Sequence, residues 1–273
     1  SNTVTFQSLS TLPSYRVTVR VPGYQFTDLA STAVACTSGS TASNSIKVAP
    51  QDDVTVCQVF LTAMGQLAGV VGGQLVASDP GTITALAGST VSATQCPASY
   101  TGADPSDCAP AAQAQKFSVL TNAAGQFSIT GTTSTPGLQP GYWQVDVVTA
   151  GYDSYHRVVN VPASTTPTCV APGCAPIIVQ SAKVQLTVTV KAPGGVAVNN
   201  AAVTLTRLGY STSTTVDKSG APGTNSYVFA GIDPTSYMLT IYAAGYAPLT
   251  VASLTVVLGQ DSQTYEVTLG ASS

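Results

Sequence analysis

The chain has 273 residues, of which only 8% are charged and 44% are hydrophobic, and this balance excludes a disordered protein, which combines low hydrophobicity with high charge. The formal net charge is −3 and the 9 lysines and arginines are scattered, so we expect no nucleic-acid partner, because binding phosphates requires a basic face. No apolar run approaches the roughly 20 residues that a membrane helix needs, so we expect no membrane insertion.

A pattern of alternating residues occurs three times along the chain. In each copy an aromatic residue stands eight positions before a Gly-Tyr pair, and apolar residues fill alternate positions between them. The copies run from Tyr15 to Tyr24, from Trp143 to Tyr152 and from Tyr237 to Tyr246. Alternation with period two is typical of strands that are buried on one face. Repetition of this kind predicts three tandem copies of one β-domain.

The first copy, residues 1–64, is predicted to be the C-terminal half of a β-sandwich repeat. Its segment from Phe6 corresponds to strands that begin at Phe127 and Tyr227 in the later copies, so the earlier strands of this domain are missing. Half a sandwich has unpaired strand edges, which invite pairing with another chain. Two explanations stay open: the upstream sequence was removed, or a neighbouring chain supplies the missing strands by strand complementation.

The second and third copies, residues 65–182 and 183–273, are predicted to be complete β-sandwich repeats. Each copy divides into about seven short strands separated by turn residues, a pattern typical of a sandwich. The run from Val184 to Val190 alternates without interruption. An Asn or Asp three residues before a Gly, at Asn122 and Asp217, predicts a hairpin turn that feeds the next strand.

The linkers between the copies, residues 61–67 and 179–184, are short and contain little glycine or proline. Short linkers of this composition favour rigid end-to-end packing over a flexible string of domains.

The cysteines predict a disulfide-bonded, extracellular protein. The six fall into three local pairs, Cys36 with Cys57, Cys96 with Cys108 and Cys169 with Cys174. An even number at close spacing favours disulfides, which persist in oxidising compartments. The alternative, metal binding, needs a Cys-x-x-Cys knuckle or several histidines, and His156 is the single histidine. We therefore expect three disulfides, a secreted or cell-surface location, no metal and no cofactor.

The sequence offers no catalytic constellation, so we predict that the chain is not an enzyme. A Ser or Cys nucleophile usually needs a His base, and His156 has no counterpart in the third copy. We interpret it as a polar strand or loop residue. Asp104 and Asp107 are close in sequence but lie in a Pro/Ser/Gly-rich loop, and two carboxylates alone make a weak Ca²⁺ site.

Carbohydrate binding is the alternative function, because sugars stack on exposed aromatic side chains. Trp143 occupies the alternation position of Tyr15 and Tyr237, which places it in the core. Three tyrosines fall outside the repeat pattern and are the candidates for glycan contact: Tyr100, Tyr155 and Tyr210.

The repeated residues resemble a known family. The run from Leu86 to Val91, followed by Thr121 to Ile129 and by the Gly151–Tyr152 pair, is similar to the carboxypeptidase regulatory-like module, and residues 183–269 are similar with an insertion after Gly220. The resemblance implies a transthyretin-like (prealbumin-type), Greek-key β-sandwich that is common in bacterial secreted and surface proteins. It also implies a non-catalytic module that acts as a spacer, adhesive or structural unit.

Together these observations predict an all-β chain of tandem sandwiches, three copies with the first one incomplete. We expect a non-enzymatic extracellular structural protein, namely a stalk, an adhesin segment or a filament subunit. The expected partners are further copies of the chain or other cell-surface proteins and, for the alternative function, glycans. The alternative is a carbohydrate-binding accessory module of a secreted hydrolase.

Overall fold

The computed structural model describes residues 63–272 except 78–82, 111–113, 133, 211–214 and 220–223, together with shorter stretches nearer the start of the chain. These stretches are residues 5–7, 14–15, 18–25, 27–28, 34–36, 40–42, 45–47, 57–59 and 61. The described chain consists of β-strands, turns and short 3-10 helices at Pro105–Asp107, Pro172–Cys174 and Pro193–Gly195. The predicted all-β class is confirmed. In the described part of the chain, no helix is long and apolar enough to cross a membrane.

The stretches described before residue 60 contain short antiparallel strands. They are β1 (Ser14–Tyr15), β2 (Thr18–Val19), β3 (Thr27–Asp28), β4 (Val34–Cys36), β5 (Ser40–Ala42), β6 (Ser45–Lys47) and β7 (Cys57–Val59). β1, β6 and β5 form one sheet in that order, β2 pairs with β3, and β4 pairs with β7.

Residues 67–180 form two sheets that enclose one hydrophobic core, here called the middle core. The strands are β8 (Leu67–Gln74), β9 (Thr84–Ala85), β10 (Thr90–Gln95), β11 (Lys116–Leu120), β12 (Gln126–Ile129), β13 (Gly141–Val148), β14 (Tyr155–Val161), β15 (Thr168–Cys169) and β16 (Ile177–Gln180). One sheet has the order β11-β10-β13-β14, and in the other β8 pairs with β12, β9, β15 and β16.

Alternation along β13 builds the middle core. Trp143, Val145 and Val147 are fully buried and pack with Leu67 and Val71 from β8 of the facing sheet. The intervening side chains of β13 face outward, as the period of two requires. The indole N–H of Trp143 donates to a backbone carbonyl at 2.8 Å, so its one polar group is satisfied inside the core.

Residues 184–269 enclose a second core, here called the C-terminal core. The strands are β17 (Val184–Lys191), β18 (Ala202–Arg207), β19 (Thr215–Ser219), β20 (Ser226–Ile232), β21 (Ser236–Tyr242), β22 (Leu249–Thr255) and β23 (Ser262–Thr268). The two sheets have the orders β20-β17-β23 and β19-β18-β21-β22. The predicted alternation from Val184 to Val190 places every second side chain of β17 in this core.

The hairpins predicted after Asn122 and Asp217 are wrong, although the turn at Asn122 forms. The Asn122 side-chain oxygen accepts from the N–H groups of Ala124 and Gln126, at 3.0 and 2.9 Å. However, β11 and β12 belong to different sheets, and so do β19 and β20. The turn at Asn122 therefore carries the chain from the edge of one sheet to the edge of the other. An alternating strand has the same pattern in either sheet, so the sequence did not reveal the crossing.

The first and last strands of each core lie side by side and run parallel. β16 pairs with β8 from Ile177 opposite Val71 to Gln180 opposite Gln74. β23 pairs with β17 from Ser262 opposite Gln185 to Thr268 opposite Lys191, which is the whole length of β23. Because the strands are parallel, the chain enters each sandwich at one end and leaves it at the other. An eight-residue strand such as β8 spans about 26 Å, which sets the distance between the two ends.

Candidate functional site at the joints between repeats

Each Gly-Tyr pair forms a tight turn, here called a corner, with the same geometry in all three copies. The corners are Gly23–Tyr24, Gly151–Tyr152 and Gly245–Tyr246. Their glycines have φ values of 79°, 80° and 84°, a region that residues with a Cβ rarely adopt. In each corner the tyrosine N–H donates to the carbonyl three residues earlier, at 3.1, 3.1 and 3.2 Å. The repeated sequence therefore encodes a repeated turn.

Each corner also holds the chain where it leaves the preceding strands. The corner tyrosine forms an isolated antiparallel bridge with an exiting residue: Ala63, Ser181 or Ala271. The corner glycine carbonyl then accepts from the next N–H: Met64 at 2.8 Å, Ala182 at 2.9 Å or Ser272 at 3.4 Å. Backbone bonds thus fix the direction in which the chain leaves each copy. We call the region where a corner meets the residues that follow it a joint.

At the second joint, the corner packs directly against the C-terminal sandwich. A Cβ placed on Gly151 would lie 2.9 Å from the backbone nitrogen of Gly259 and 2.9 Å from Cγ of Leu258. Real Cβ atoms are not found this close to backbone atoms, so only glycine fits at this contact. The turn at residues 258–259 directly precedes β23 and lies at the end of the sandwich where the chain enters.

The first joint has the same type of contact with different partners. A Cβ on Gly131 would lie 2.6 Å from the backbone nitrogen of Gly23, and a Cβ on Gly23 would lie 3.1 Å from the side-chain nitrogen of Gln66. The third corner differs, because no described atom lies within 4 Å of a Cβ placed on Gly245. Two corners are therefore covered by the part of the chain that follows, whereas none of the described residues packs against the glycine of the third.

Polar side chains tie the second joint on the side of the middle core. The Gln180 amide nitrogen donates to the Gln74 side-chain oxygen at 2.8 Å, and the Ser181 hydroxyl donates to the Leu75 carbonyl at 2.8 Å. The Tyr152 ring lies against β8, since a Cβ on Gly73 would stand 2.6 Å from the ring. This burial raises the pKa of Tyr152 above its ordinary value. The exit from the middle sandwich is therefore packed as well as hydrogen-bonded.

An ion cluster ties the second joint on the C-terminal side. The Asp233 carboxylate accepts from the Arg207 guanidinium at 2.9 Å and from the Lys183 ammonium. The side chains of Arg207 and Asp233 are only 3% and 13% exposed. The Tyr237 hydroxyl donates to the Asp233 carbonyl at 3.1 Å. Burial, followed by the charge of Asp233, raises the pKa of Tyr237 to about 12.

Sequence analysis missed this cluster, although the sequence contained a signal for it. Arg207 has the same alternation phase as the core residues Val203 and Leu205 of β18, so its side chain starts inward. A buried guanidinium needs a carboxylate partner. Asp233 follows β20, and an aspartate in a turn gives no indication of a distant partner.

A cleft of about 570 Å³ opens at the second joint, here called the joint cleft. It lies beside the end of β8 and the start of β21. Its lining residues come from both sides of the joint: Gln74, Leu75, Val76, Thr84, Leu208, Gly209, Tyr210, Thr235, Ser236 and Ser253.

The three candidate glycan tyrosines lie at separate places. Tyr210 lines the joint cleft. Tyr100 makes an edge contact with Tyr142 near the start of β13, with ring centroids 5.0 Å apart. Tyr155 stands opposite Val147, near the other end of β13, and packs against the middle core. Five residues of strand, about 17 Å, separate these last two positions, so the three rings do not form one platform.

Two of the predicted cysteine pairs form disulfides within the middle sandwich. The bonds join Cys96 to Cys108 and Cys169 to Cys174, each with a Cα–Cα distance of 5.0 Å. Cys36 and Cys57 stand directly opposite each other in the register of β4 and β7. Their side chains lie outside the described part of the structure, so this third disulfide stays a prediction.

The other polar residues singled out from the sequence have local structural partners. Nδ1 of His156, on β14, lies 2.7 Å from Oδ1 of Asp146 on β13, and the pair is partly exposed. The Asp104 carboxylate accepts two hydrogen bonds from Ser106, which hold its pKa below the ordinary value. Among the described residues, no three His, Cys, Asp or Glu side chains are grouped so that they could hold a metal ion.

Comparison with solved structures finds distant likenesses. The Bacillus anthracis TIE protein is 14% identical with a TM-score of 0.44, and the match covers 80% of this chain and 36% of that protein. The minor pilin GBS52 of Streptococcus agalactiae is 13% identical with a TM-score of 0.31, with 77% and 97% covered. The shaft pilin SpaA of Lactobacillus rhamnosus GG is 14% identical with a TM-score of 0.30, with 77% and 99% covered.

Comparison with family models finds a match in the C-terminal part of the chain. Residues 185–270, less than half of the chain, match the carboxypeptidase regulatory-like domain. Among curated proteins no match was found. The resemblance noted from the sequence is therefore confirmed for the third copy, whose matched residues form β17 to β23 and the C-terminal core, and for the middle copy it stays a prediction.

Proposed function

We propose that the chain is a non-enzymatic extracellular structural protein whose sandwiches are stacked end to end. In this proposal, residues 65–182 and 183–273 are two complete structural units, and residues 1–64 are the C-terminal half of another. The chain would act as a stalk, an adhesin segment or a filament subunit. Its partners would be further copies of itself or other surface proteins.

The observation that supports this most directly is the parallel pairing of the first and last strands in each sandwich. β8 with β16, and β17 with β23, bring the chain in at one end of a sandwich and out at the other. Units connected in this way extend along one direction, whereas antiparallel first and last strands would return the chain to its starting end. A spacer needs this arrangement, and a compact enzyme does not.

The joints give a second line of support, because they hold neighbouring sandwiches in a fixed relation. Only three residues, 181–183, separate β16 from β17, and backbone bonds to the Gly151–Tyr152 corner fix the first two of them. The charge cluster around Asp233 and the contact between Gly151 and Gly259 close the joint from the other side. A stalk that must keep its length benefits from joints of this kind.

Disulfides and surface composition support the extracellular location. The protein has the disulfides Cys96–Cys108 and Cys169–Cys174. Disulfides persist in oxidising compartments and are rare in cytosolic proteins. Only 8% of the residues are charged, so the chain offers few ionised side chains for its surface. The electrostatic interactions of such a surface therefore change little with pH and salt concentration.

Small-angle X-ray scattering tests the extended arrangement. A compact protein of 273 residues has a radius of gyration of roughly 19 Å, and we expect a clearly larger value for sandwiches stacked end to end. A value near that of the compact protein would contradict the proposal.

Negative-stain electron microscopy with light scattering tests the filament role separately. Regular filaments with an axial repeat would support completion of residues 1–64 by strands from a neighbouring chain. Monodisperse monomers of 27.5 kDa would contradict a self-assembling filament and favour a stalk or adhesin segment.

A further inference from the structure

The joint cleft has the size and the fixed walls of a binding site. Its volume of about 570 Å³ falls within the roughly 300–1,000 Å³ that is typical of small-ligand sites. Backbone bonds hold the wall in place: the Leu208 N–H donates to the Ser236 carbonyl at 2.9 Å, and the Val256 N–H donates to the Thr235 carbonyl at 2.9 Å. These two bonds fix the wall that the C-terminal sandwich contributes to the cleft.

The chemistry of the lining is neutral and rich in hydroxyl groups. Of the described residues that line the cleft, none is charged. The polar groups are the amide of Gln74 and the hydroxyls of Thr84, Tyr210, Thr235, Ser236 and Ser253. Leu75, Val76 and Leu208 add apolar surface between them. Hydroxyls and amides both donate and accept hydrogen bonds, which suits a ligand that offers many hydroxyl groups of its own.

Tyr210 supplies a flat aromatic surface, and a charged side chain on one face of the ring holds it in position. The Arg207 guanidinium carbon lies 5.3 Å from the centroid of the Tyr210 ring, within the range of a cation–π contact. Arg207 is itself held by Asp233. One face of the ring therefore rests on an anchored cation. An anchored ring loses little conformational freedom when a ligand stacks on it.

We propose that the joint cleft is a binding site for a neutral glycan, with Tyr210 as the stacking residue and the surrounding hydroxyls as hydrogen-bonding groups. Neutral sugars combine apolar C–H faces with hydroxyl rims, which matches this combination of ring, aliphatic surface and hydroxyls. A charged glycan would find no counter-ion among the described lining residues. The site goes beyond the structural role, because it makes a joint between two sandwiches a point of attachment.

Isothermal titration calorimetry with defined oligosaccharides tests the site. The probes are the neutral hexasaccharides of cellulose, amylose, mannan, xylan and chitin, with an acidic hexagalacturonate as the charged comparison. We expect saturable binding of at least one neutral probe and none of the acidic one. No binding of any neutral probe, or preference for the acidic one, would overturn the proposal.

Two cleft variants and one control locate the binding. Tyr210→Ala removes the ring and is expected to weaken binding about tenfold. Ser253→Trp fills the cleft from an exposed position on β22 and is expected to abolish binding. Tyr242→Ala removes an exposed tyrosine outside the cleft and is expected to leave binding unchanged.

Thermal melting checks that each variant folds. Binding that survives in both cleft variants, or falls equally in the control, would overturn the assignment. Filament formation is a separate measurement, so the two proposals can fail independently.

Discussion

Gly151 lies so close to Gly259 that a Cβ on Gly151 would stand 2.9 Å from the Gly259 backbone nitrogen. The contact joins the corner of the middle sandwich to the turn before the last strand of the C-terminal sandwich. Two features require glycine at this position: the short distance to Gly259 and the φ of 80° at Gly151.

Replacing Gly151 with alanine should therefore destabilise both the corner and the joint. Gly245 is the matched control, since its φ is 84° but a Cβ there meets no described atom within 4 Å. Gly245→Ala should cost only the backbone strain, about 1–2 kcal/mol in the free energy of unfolding. Gly151→Ala should cost more and should also change the scattering curve. Urea unfolding measures the difference, and equal losses in the two variants would contradict the packing at this joint.

Asp233→Asn should be strongly destabilising, because it leaves the Arg207 charge largely buried without its carboxylate. Removing one partner of a buried ion pair typically costs about 3–5 kcal/mol, and we expect the lower part of this range because Asp233 keeps some exposure. Glu266→Gln, which removes the partly exposed pair of Lys191 and Glu266, is the control and should cost less than about 1 kcal/mol. Chemical unfolding of both variants checks this, and comparable losses would show that the Arg207 pair is not desolvated.

The stability of the protein should fall between about pH 10 and pH 12 because of Tyr237. Its pKa is raised from 10.0 to about 12 in the folded state, so in this window the unfolded chain loses the phenol proton while the folded chain keeps it. The stabilisation is complete below pH 10 and disappears as the pH rises through about 12.

Tyr237→Phe tests this dependence directly. Below pH 10 the variant should be less stable by about 1 kcal/mol, from loss of the hydrogen bond to the Asp233 carbonyl. Above pH 10 the wild type should approach the variant, because only the wild type loses the contribution of the phenol. Tyr242→Phe, at an exposed position, is the control. A constant gap between wild type and Tyr237→Phe across the whole range would contradict the raised pKa.

The two disulfides of the middle sandwich should contribute unequally. The loop closed by Cys96 and Cys108 has a sequence separation of 12, and that closed by Cys169 and Cys174 a separation of 5. Chain entropy predicts losses of about 3 and about 2 kcal/mol when each pair is replaced by alanine. Calorimetric melting measures both. A larger loss for the shorter loop would mean that strain or packing, and not loop closure, decides their contribution.

Peptide mapping under non-reducing conditions tests the third predicted bond. Cys36 and Cys57 are opposite in the strand register, so we expect a single cross-linked peptide that contains both. Recovery of either cysteine as a free thiol would show that this prediction is wrong.

Alternation in the sequence predicted most of the strands and the core, since Trp143 and the run from Val184 to Val190 are buried as expected. It did not predict which strands pair. Alternation records which face of a strand is buried but not its neighbour or its direction, so the crossing after Asn122 was mistaken for a hairpin. The parallel closure of β23 on β17 was missed for the same reason.

The corners were predictable because their geometry is local, whereas the joint cleft was not. A Gly-Tyr pair at a fixed spacing specifies a turn within a few residues of chain. The cleft instead combines Gln74, Thr84, Tyr210 and Ser253, which are far apart in sequence. Tyr210 could be singled out because it breaks the repeat, but its anchoring by Arg207 depends on the fold.

The parallel closure of each sandwich also determines how the chain responds to force. Tension applied through neighbouring copies pulls the start of β17 and the end of β23 in opposite directions along the same axis. The seven residue pairs between these strands, from Gln185–Ser262 to Lys191–Thr268, are then loaded in shear and must break together. An antiparallel pair pulled from one end would instead open one hydrogen bond at a time. The strand order that sends the chain out at the far end thus also makes each sandwich resist extension.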